Sequence, residues 1–140
     1  MLKIHLICVG KDKEAWITDG CAHFKKLLSR YAEVSWRVLS AEKSGSGLSA
    51  SEVKKREAAR ILKVLDKGFH IALADKGTDP DSHGLARQLE KWQMRCGGCI
   101  EFIIGGAYGL DESVLDRADL VLSLSSLTFS HQLVRLVLLE

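Results

Sequence analysis

Five short apolar runs alternate along this chain with segments whose apolar residues recur every three to four positions, and that alternation limits the fold more than any other feature. The first run, residues 2–9, is broken only by Lys3 and His5. Near-continuous apolar character belongs to strands covered on both faces, as in a parallel sheet, rather than to the in-out alternation of a half-solvated one. Residues 34–40, 69–74, 100–104 and 120–124 read as four further strands. Between them, Trp16, Gly20, Phe24, Leu27 or Leu28 and Tyr31 make one face of a helix over about 13–31. Ser49 followed by Glu52 forms a capping box for a helix that turns Val53, Ala59, Leu62 and Leu65 to the core and ends at Gly68. The polar stretch before it, residues 43–51, reads as a mobile loop. Ser82 can cap a third helix with Leu85, Leu89 and Trp92 on one side. A short fourth runs over 111–118, and Ser130 can cap a last one bearing Leu133, Val134, Val137 and Leu138. The sum is an open α/β sheet, in which ligands gather beyond the carboxyl ends of the strands.

With 140 residues, 46% hydrophobic and 27% charged, the chain suits one globular domain over residues 1–140, since two half-length domains would each bury too little. No stretch reaches the roughly 18 to 20 apolar residues that a bilayer crossing needs, so no membrane partner is expected. Gly10-Lys11-Asp12 after the first run lacks a signal-cleavage pattern, and the expected location is cytoplasmic. Cys8, Cys21, Cys96 and Cys99 sit among apolar positions of a chain large enough to fold without disulfides. The Cys96-Gly97-Gly98-Cys99 pair follows a helix and precedes a strand, the reverse of a thioredoxin-like pair. It also lacks two further ligands that would complete a zinc shell, so no metal is expected. Charge is unevenly spread: residues 1–68 carry 14 Lys or Arg against 8 Asp or Glu, and residues 69–140 carry 6 against 10. Lys54, Lys55, Arg56, Arg60 and Lys63 form the densest basic segment, suited to an anionic partner or to a solvated helix face.

Three turns follow the third, fourth and fifth strands, at 73–77, 105–109 and 125–131. Gly105-Gly106-Ala107-Tyr108-Gly109 can let backbone amides approach a ligand closely. A dinucleotide fold would place its glycines after the first strand, where Gly10-Lys11-Asp12 stands, and a phosphate loop would end in Gly-Lys-Ser/Thr; neither pattern is present.

Taken with Leu122-Ser123-Leu124-Ser125-Ser126-Leu127-Thr128-Phe129-Ser130-His131-Gln132-Leu133-Val134-Arg135, the segment Ile103-Ile104-Gly105-Gly106-Ala107-Tyr108-Gly109-Leu110 resembles the pseudouridine N3-methyltransferases of large-subunit ribosomal RNA. Val9-Gly10-Lys11, the 73–77 turn and the helix start at 82–86 match in the same order, so the resemblance spans essentially the whole chain. It implies a SPOUT-like α/β fold, an open parallel sheet whose carboxyl-terminal part forms a deep trefoil knot, which general topology disfavours. It also implies a homodimer, S-adenosyl-L-methionine (SAM) as methyl donor, and the ribosome's large-subunit rRNA, not DNA, as partner.

Carried over by position, Leu73, Gly106, Ser125, Ser126, Leu127, Thr128, Phe129 and Ser130 would contact SAM, the apolar members holding the adenine and loop amides and carbonyls reading its polar edge. His131 and Arg135 are candidates for RNA phosphate or base, with Arg135 alternatively at a dimer contact; Lys54, Lys55, Arg56 and Arg60 are further RNA candidates. No catalytic base is assigned. The last helix, with Leu133, Val134, Leu136, Val137, Leu138 and Leu139, is too apolar to face solvent alone and is expected to meet a partner subunit. The sequence departs from the family at Ala74, where Asp is usual, and at Ala107 and Ser130, where Pro is usual. The resemblance also implies that the family continues past the position of Glu140 with a helix segment holding Gln, Tyr and Arg and then a short Tyr-His tail for substrate binding and catalysis. The expectation is therefore a SAM-dependent rRNA methyltransferase domain that binds the donor while methylating ribosomes poorly or not at all. The alternative is a catalytically silent RNA-binding or dimeric interaction protein of the same fold.

Overall fold

The computed structural model describes residues 1–43 and 45–140, so Ser44 of the polar loop expected at 43–51 lies outside the described residues. In chain order the elements are β1 (Leu2–Val9), α1 (Ala15–Leu28), β2 (Ala32–Leu39), α2 (Ala50–Val64), β3 (Phe69–Thr78), α3 (Ser82–Arg95), β4 (Cys99–Ile104), α4 (Glu112–Arg117), β5 (Leu120–Leu122) and α5 (His131–Leu139). All five strands join one sheet in the order β2-β1-β4-β3-β5, and every pairing is parallel. Parallel strands need covering on both faces, and the alternation of side chains along them produces two cores. Leu6, Cys8, Ile100, Phe102 and Ile104 point to one side and pack with Ile17 and Cys21 of α1, Trp92 of α3 and Leu139 of α5. Val9 and Ile103 point to the other and meet Ala58 and Ile61 of α2 and Val114 of α4.

Several local readings shift by a residue or a face. α1 buries Ile17 and Cys21, while Trp16, Leu27 and Tyr31 stand in solvent, so the helix is rotated from the face expected. Gly20 marks the reason: a Cβ there would lie 2.7 Å from Leu136 Cδ1, so the glycine lets α5 cross α1 closely. α2 starts as its capping box dictates, with Ser49 Oγ accepting from Glu52 N at 3.2 Å. Its buried residues, however, are Val53, Glu57, Ala58 and Ile61, with Ala59 and Leu62 outside. Asp81, not Ser82, caps α3, because its carboxylate accepts from Gly84 N at 2.6 Å. Trp92 of that helix stacks on Phe69 at 5.8 Å, as the expected face requires. The Cys96-Gly97-Gly98-Cys99 stretch is a turn from helix to strand, with Gly97 and Gly98 at φ +66 and +92 and all four cysteines of the chain as free thiols.

β3 runs four residues beyond the expected strand, through a register break. Leu73 and Thr78 both pair with Leu122, so residues 74–77 bulge from the sheet between them. Gly77 then returns so close to the next strand that a Cβ would lie 2.6 Å from the Leu122 carbonyl carbon and 2.7 Å from Ser123 N. Ser123 N donates to Thr78 O at 2.8 Å across that approach. From β5, at the edge of the sheet, the chain passes back and α5 packs against α1 and β4. No helix among the described residues is long and apolar enough to cross a membrane.

Candidate functional site

The carboxyl ends of β3, β4 and β5 open into a cavity of about 720 Å³. Its walls come from the three turns: Leu73–Lys76, Gly105–Leu110 and the stretch from Leu122 to His131. Local polar bonds shape the last of these. Ser123 Oγ donates to Ser125 O at 2.8 Å, Ser125 Oγ accepts from Leu127 N at 2.9 Å, and Ser130 Oγ accepts from Leu133 N to start α5. Thr128 Oγ1 reaches Asp75 Oδ2 of the β3 bulge at 3.4 Å, joining two walls. Gly109, at φ +85, closes the Gly105–Gly109 turn by donating to Gly106 O at 3.0 Å.

Of the residues expected to hold a cofactor, Leu73, Gly106, Ser125, Leu127, Thr128, Phe129 and Ser130 line this cavity, whereas Ser126 is exposed and outside it. The reason for glycine at 106 differs from the one expected. A Cβ there would meet Glu57, 2.8 Å from Oε1. Glu57 is a residue that sequence reasoning missed, since it lies in a run of charges that reads as a solvated face. It is 4% exposed; Oε2 accepts from Glu42 N at 3.1 Å, while Oε1 has no partner. Burial pushes its carboxyl above the ordinary value, only partly offset by the Glu42 amide and the charge of Arg60.

His131 lines the cavity at the start of α5. Burial, then the positive charges of Arg135 and Lys13, lower its pKa from the usual histidine value, so the ring is neutral at neutral pH. Arg135 is placed quite differently from the expected RNA or dimer contact. It is fully buried within the chain: Nη1 donates to Asp12 Oδ1 and Nη2 to Val9 O, both at 2.9 Å. The guanidinium fastens α5 to the end of β1, and it cannot meet a phosphate or a partner from there. A single sequence carries no signal for this, because an arginine among leucines on a terminal helix reads equally as a surface cation.

The basic segment of α2 divides. Lys54 reaches the cavity mouth, together with Glu112. Lys55 and Arg56 are exposed, and Arg60 is engaged by the Glu42 carboxylate and by Ser40 O at 2.8 Å. Lys54 and Lys55 also help hold the Asp111 carboxyl low, after its hydrogen bonds from Ser113. Among the described residues no group of three His, Cys, Asp or Glu stands together as a metal shell.

A cavity of this size lies in the usual range for a small-molecule site, about 300–1,000 Å³. Its walls combine apolar side chains with exposed backbone edges of three loops, which suits a ligand that is part flat and apolar and part polar. Comparison with known proteins narrows the chemistry. A family model described as "Predicted SPOUT methyltransferase" matches residues 2–140. The chain is 41% identical over 143 residues to the "Ribosomal RNA large subunit methyltransferase H" of Halothermothrix orenii, covering 99% of this chain and 90% of that one. It is 42% identical to the protein of the same name from Syntrophotalea carbinolica, covering 99% and 89%, and 40% identical to that from Bifidobacterium animalis subsp. lactis. With a family match over nearly its full length and these identities, the chain belongs to the SPOUT methyltransferase family.

Proposed function

We propose that this protein transfers a methyl group from SAM to N3 of a pseudouridine in large-subunit ribosomal RNA, in the cytoplasm and as a homodimer. The observation that carries the reading is the convergence of three separate loops on one cavity at the carboxyl rim of the sheet, in a chain whose family members are methyltransferases. The names of its relatives supply the substrate class. The cavity fits the donor: Leu73 and Phe129 offer apolar surface for an adenine, and the backbone of the 123–130 stretch offers amides and carbonyls to its edge. When bound, SAM supplies an electrophilic methyl carbon.

The rest is the work of this chain. Reaction needs the acceptor nitrogen in line with that carbon, and rigid walls tied together by Thr128–Asp75 and Ser123–Thr78 provide such positioning. His131, neutral and at the cavity wall, can accept a hydrogen bond from N3–H and favour its deprotonated form. Lys54 at the mouth adds positive potential for a base that becomes anionic as the proton leaves.

The same reading includes the deep trefoil knot, with the segment after β5 threaded past β3. Its support is the flush passage of Gly77 against the backbone of 121–123 and the return of α5 to α1, fastened to the end of β1 by Arg135. Exposed Trp16 and Leu27 on α1, Tyr31 just after it and the half-buried leucines of α5 support the homodimer.

The test is calorimetric titration with SAM, followed by transfer of labelled methyl from SAM to large ribosomal subunits. Micromolar SAM binding and label on a pseudouridine N3 are expected. SAM binding without any label on ribosomal RNA would favour the silent RNA-binding module, and no SAM binding would sink the reading.

A further inference from the structure

A second cleft, of about 400 Å³, opens on the same rim of the sheet, at the carboxyl ends of β1 and β2. It is lined by Lys11 and Lys13 from one loop and by Ser40, Ala41, Glu42 and Lys43 from the other. Gly10, at φ +85, turns the chain out of β1, and its N–H donates to Leu39 O at 2.7 Å, holding the two strand ends together beneath the cleft. The three lysines are exposed and none forms an ion pair among the described residues. The one carboxylate in the lining, Glu42, faces Arg60 and Arg56 instead, and Asp12 between the lysines is taken by Arg135. Both carboxylates that lie in or between the lysine-bearing segments of the lining, Glu42 and Asp12, are thus committed elsewhere, and Glu14 after Lys13 forms no ion pair with the lysines among the described residues.

The cleft is joined to the main cavity through one side chain. Gln132 accepts from Lys13 N and donates to Lys11 O, each at 3.1 Å, and its neighbour His131 lines the cavity. Two backbone bonds therefore fix the lysine loop at a set distance from the place where a base would enter. An enzyme that acts on a base must hold the flanking backbone while the base leaves its stack, and unpaired cations beside the pocket are how phosphates are held.

We propose that the Lys11–Lys13–Lys43 cleft is a docking site for the phosphodiester backbone of the RNA flanking the target base. This rests on the reading of the main cavity as the methyl-transfer site. The lysines neutralise phosphates without reading sequence, so they set affinity and its salt dependence rather than the choice of base.

The experiment compares wild type with a Lys11→Gln, Lys13→Gln, Lys43→Gln triple variant and with a Lys25→Gln, Lys26→Gln control at the far end of α1. The probes are a ten-uridine single-stranded RNA and purified large ribosomal subunits. The triple variant should keep SAM affinity and thermal stability, lose about 0.7 in salt slope for each phosphate contact removed, and raise KM for large subunits roughly tenfold. The control should match wild type. An unchanged salt slope and KM in the triple variant, or an equal loss in the control, would overturn the proposal. Wild type that binds the oligonucleotide through these lysines yet leaves the subunits unmethylated would uphold the cleft and sink the methylation reading.

Discussion

Near the amino ends of the strands, His5, Glu101, His70 and Asp119 stand side by side across β1, β4, β3 and the approach to β5, whereas the carboxyl ends hold bulges, glycine turns and two clefts. In the first region, side chains of alternating character pair with one another. His70 Nε2 lies 3.1 Å from Glu101 Oε1, His70 Nδ1 3.5 Å from Asp119 Oδ2, and Asp66 N donates to Glu101 Oε1 at 3.3 Å. In the second, Lys11, Lys13 and Lys43 form no ion pairs among the described residues. The difference follows from parallel topology: the strand order brings several loops together at one end, and those loops are free to serve a ligand because the other end closes itself.

The sharpest way to break the comparison is at the closed end. Glu101→Ala leaves His70 Nε2 without its partner in a buried site and opens a cavity, at a cost of about 3 kcal/mol. Urea denaturation should show that loss, while SAM affinity measured at moderate temperature stays within about twofold, because no residue of the row lines the main cavity. Parallel loss of both would mean that the two ends are not separable.

Gly77→Ala should give the opposite pattern. Its Cβ would meet main-chain atoms of residues 121–123, which cannot swing aside as a side chain can, so the stretch leading into the cavity wall must move. The stability cost is about 1–3 kcal/mol, smaller than at Glu101, but SAM binding should weaken by more than about tenfold. Unchanged SAM affinity in a destabilised variant would show that the β3 bulge only supports the sheet.

How much of this was legible in the sequence varies with what each residue responds to. The five strands and five helices follow from local patterns, and Ser49, Ser130 and Trp92 act as their neighbours dictate. The rotated face of α1 was hidden because Trp16 and Tyr31 are apolar by composition, yet the contact that decides the face is Gly20 with Leu136, far along the chain. The β3 extension was hidden for a similar reason: Asp75-Lys76-Gly77 looks like a turn, and only pairing of Thr78 with Leu122 makes it part of a strand. At the site, the polar and glycine-rich turns after the third, fourth and fifth strands were legible as such, and they line one cavity. The burial of Arg135 and Glu57 was hidden, because their partners, Val9, Asp12 and Glu42, come from other parts of the chain.

Glu57 supplies the smallest effect and the finest comparison, because it is a buried polar group at the open end that has no full set of partners. With its carboxyl held above the ordinary value by burial, the folded protein keeps a proton over a pH interval in which the unfolded chain has released it. Stability from this group therefore falls as pH rises through that interval, and the penalty is full above the raised value and absent below the ordinary one. Glutamine cannot ionise, its carbonyl can still accept from Glu42 N, and its amide can take the place of Oε1 beside Gly106. Glu57→Gln should therefore melt higher than wild type at pH 8, with the difference shrinking toward zero below pH about 4. Thermal melts of both proteins across that range provide the check. A variant that melts lower than wild type at pH 8, with the deficit vanishing below pH about 4, would mean instead that the carboxylate is needed in its charged form.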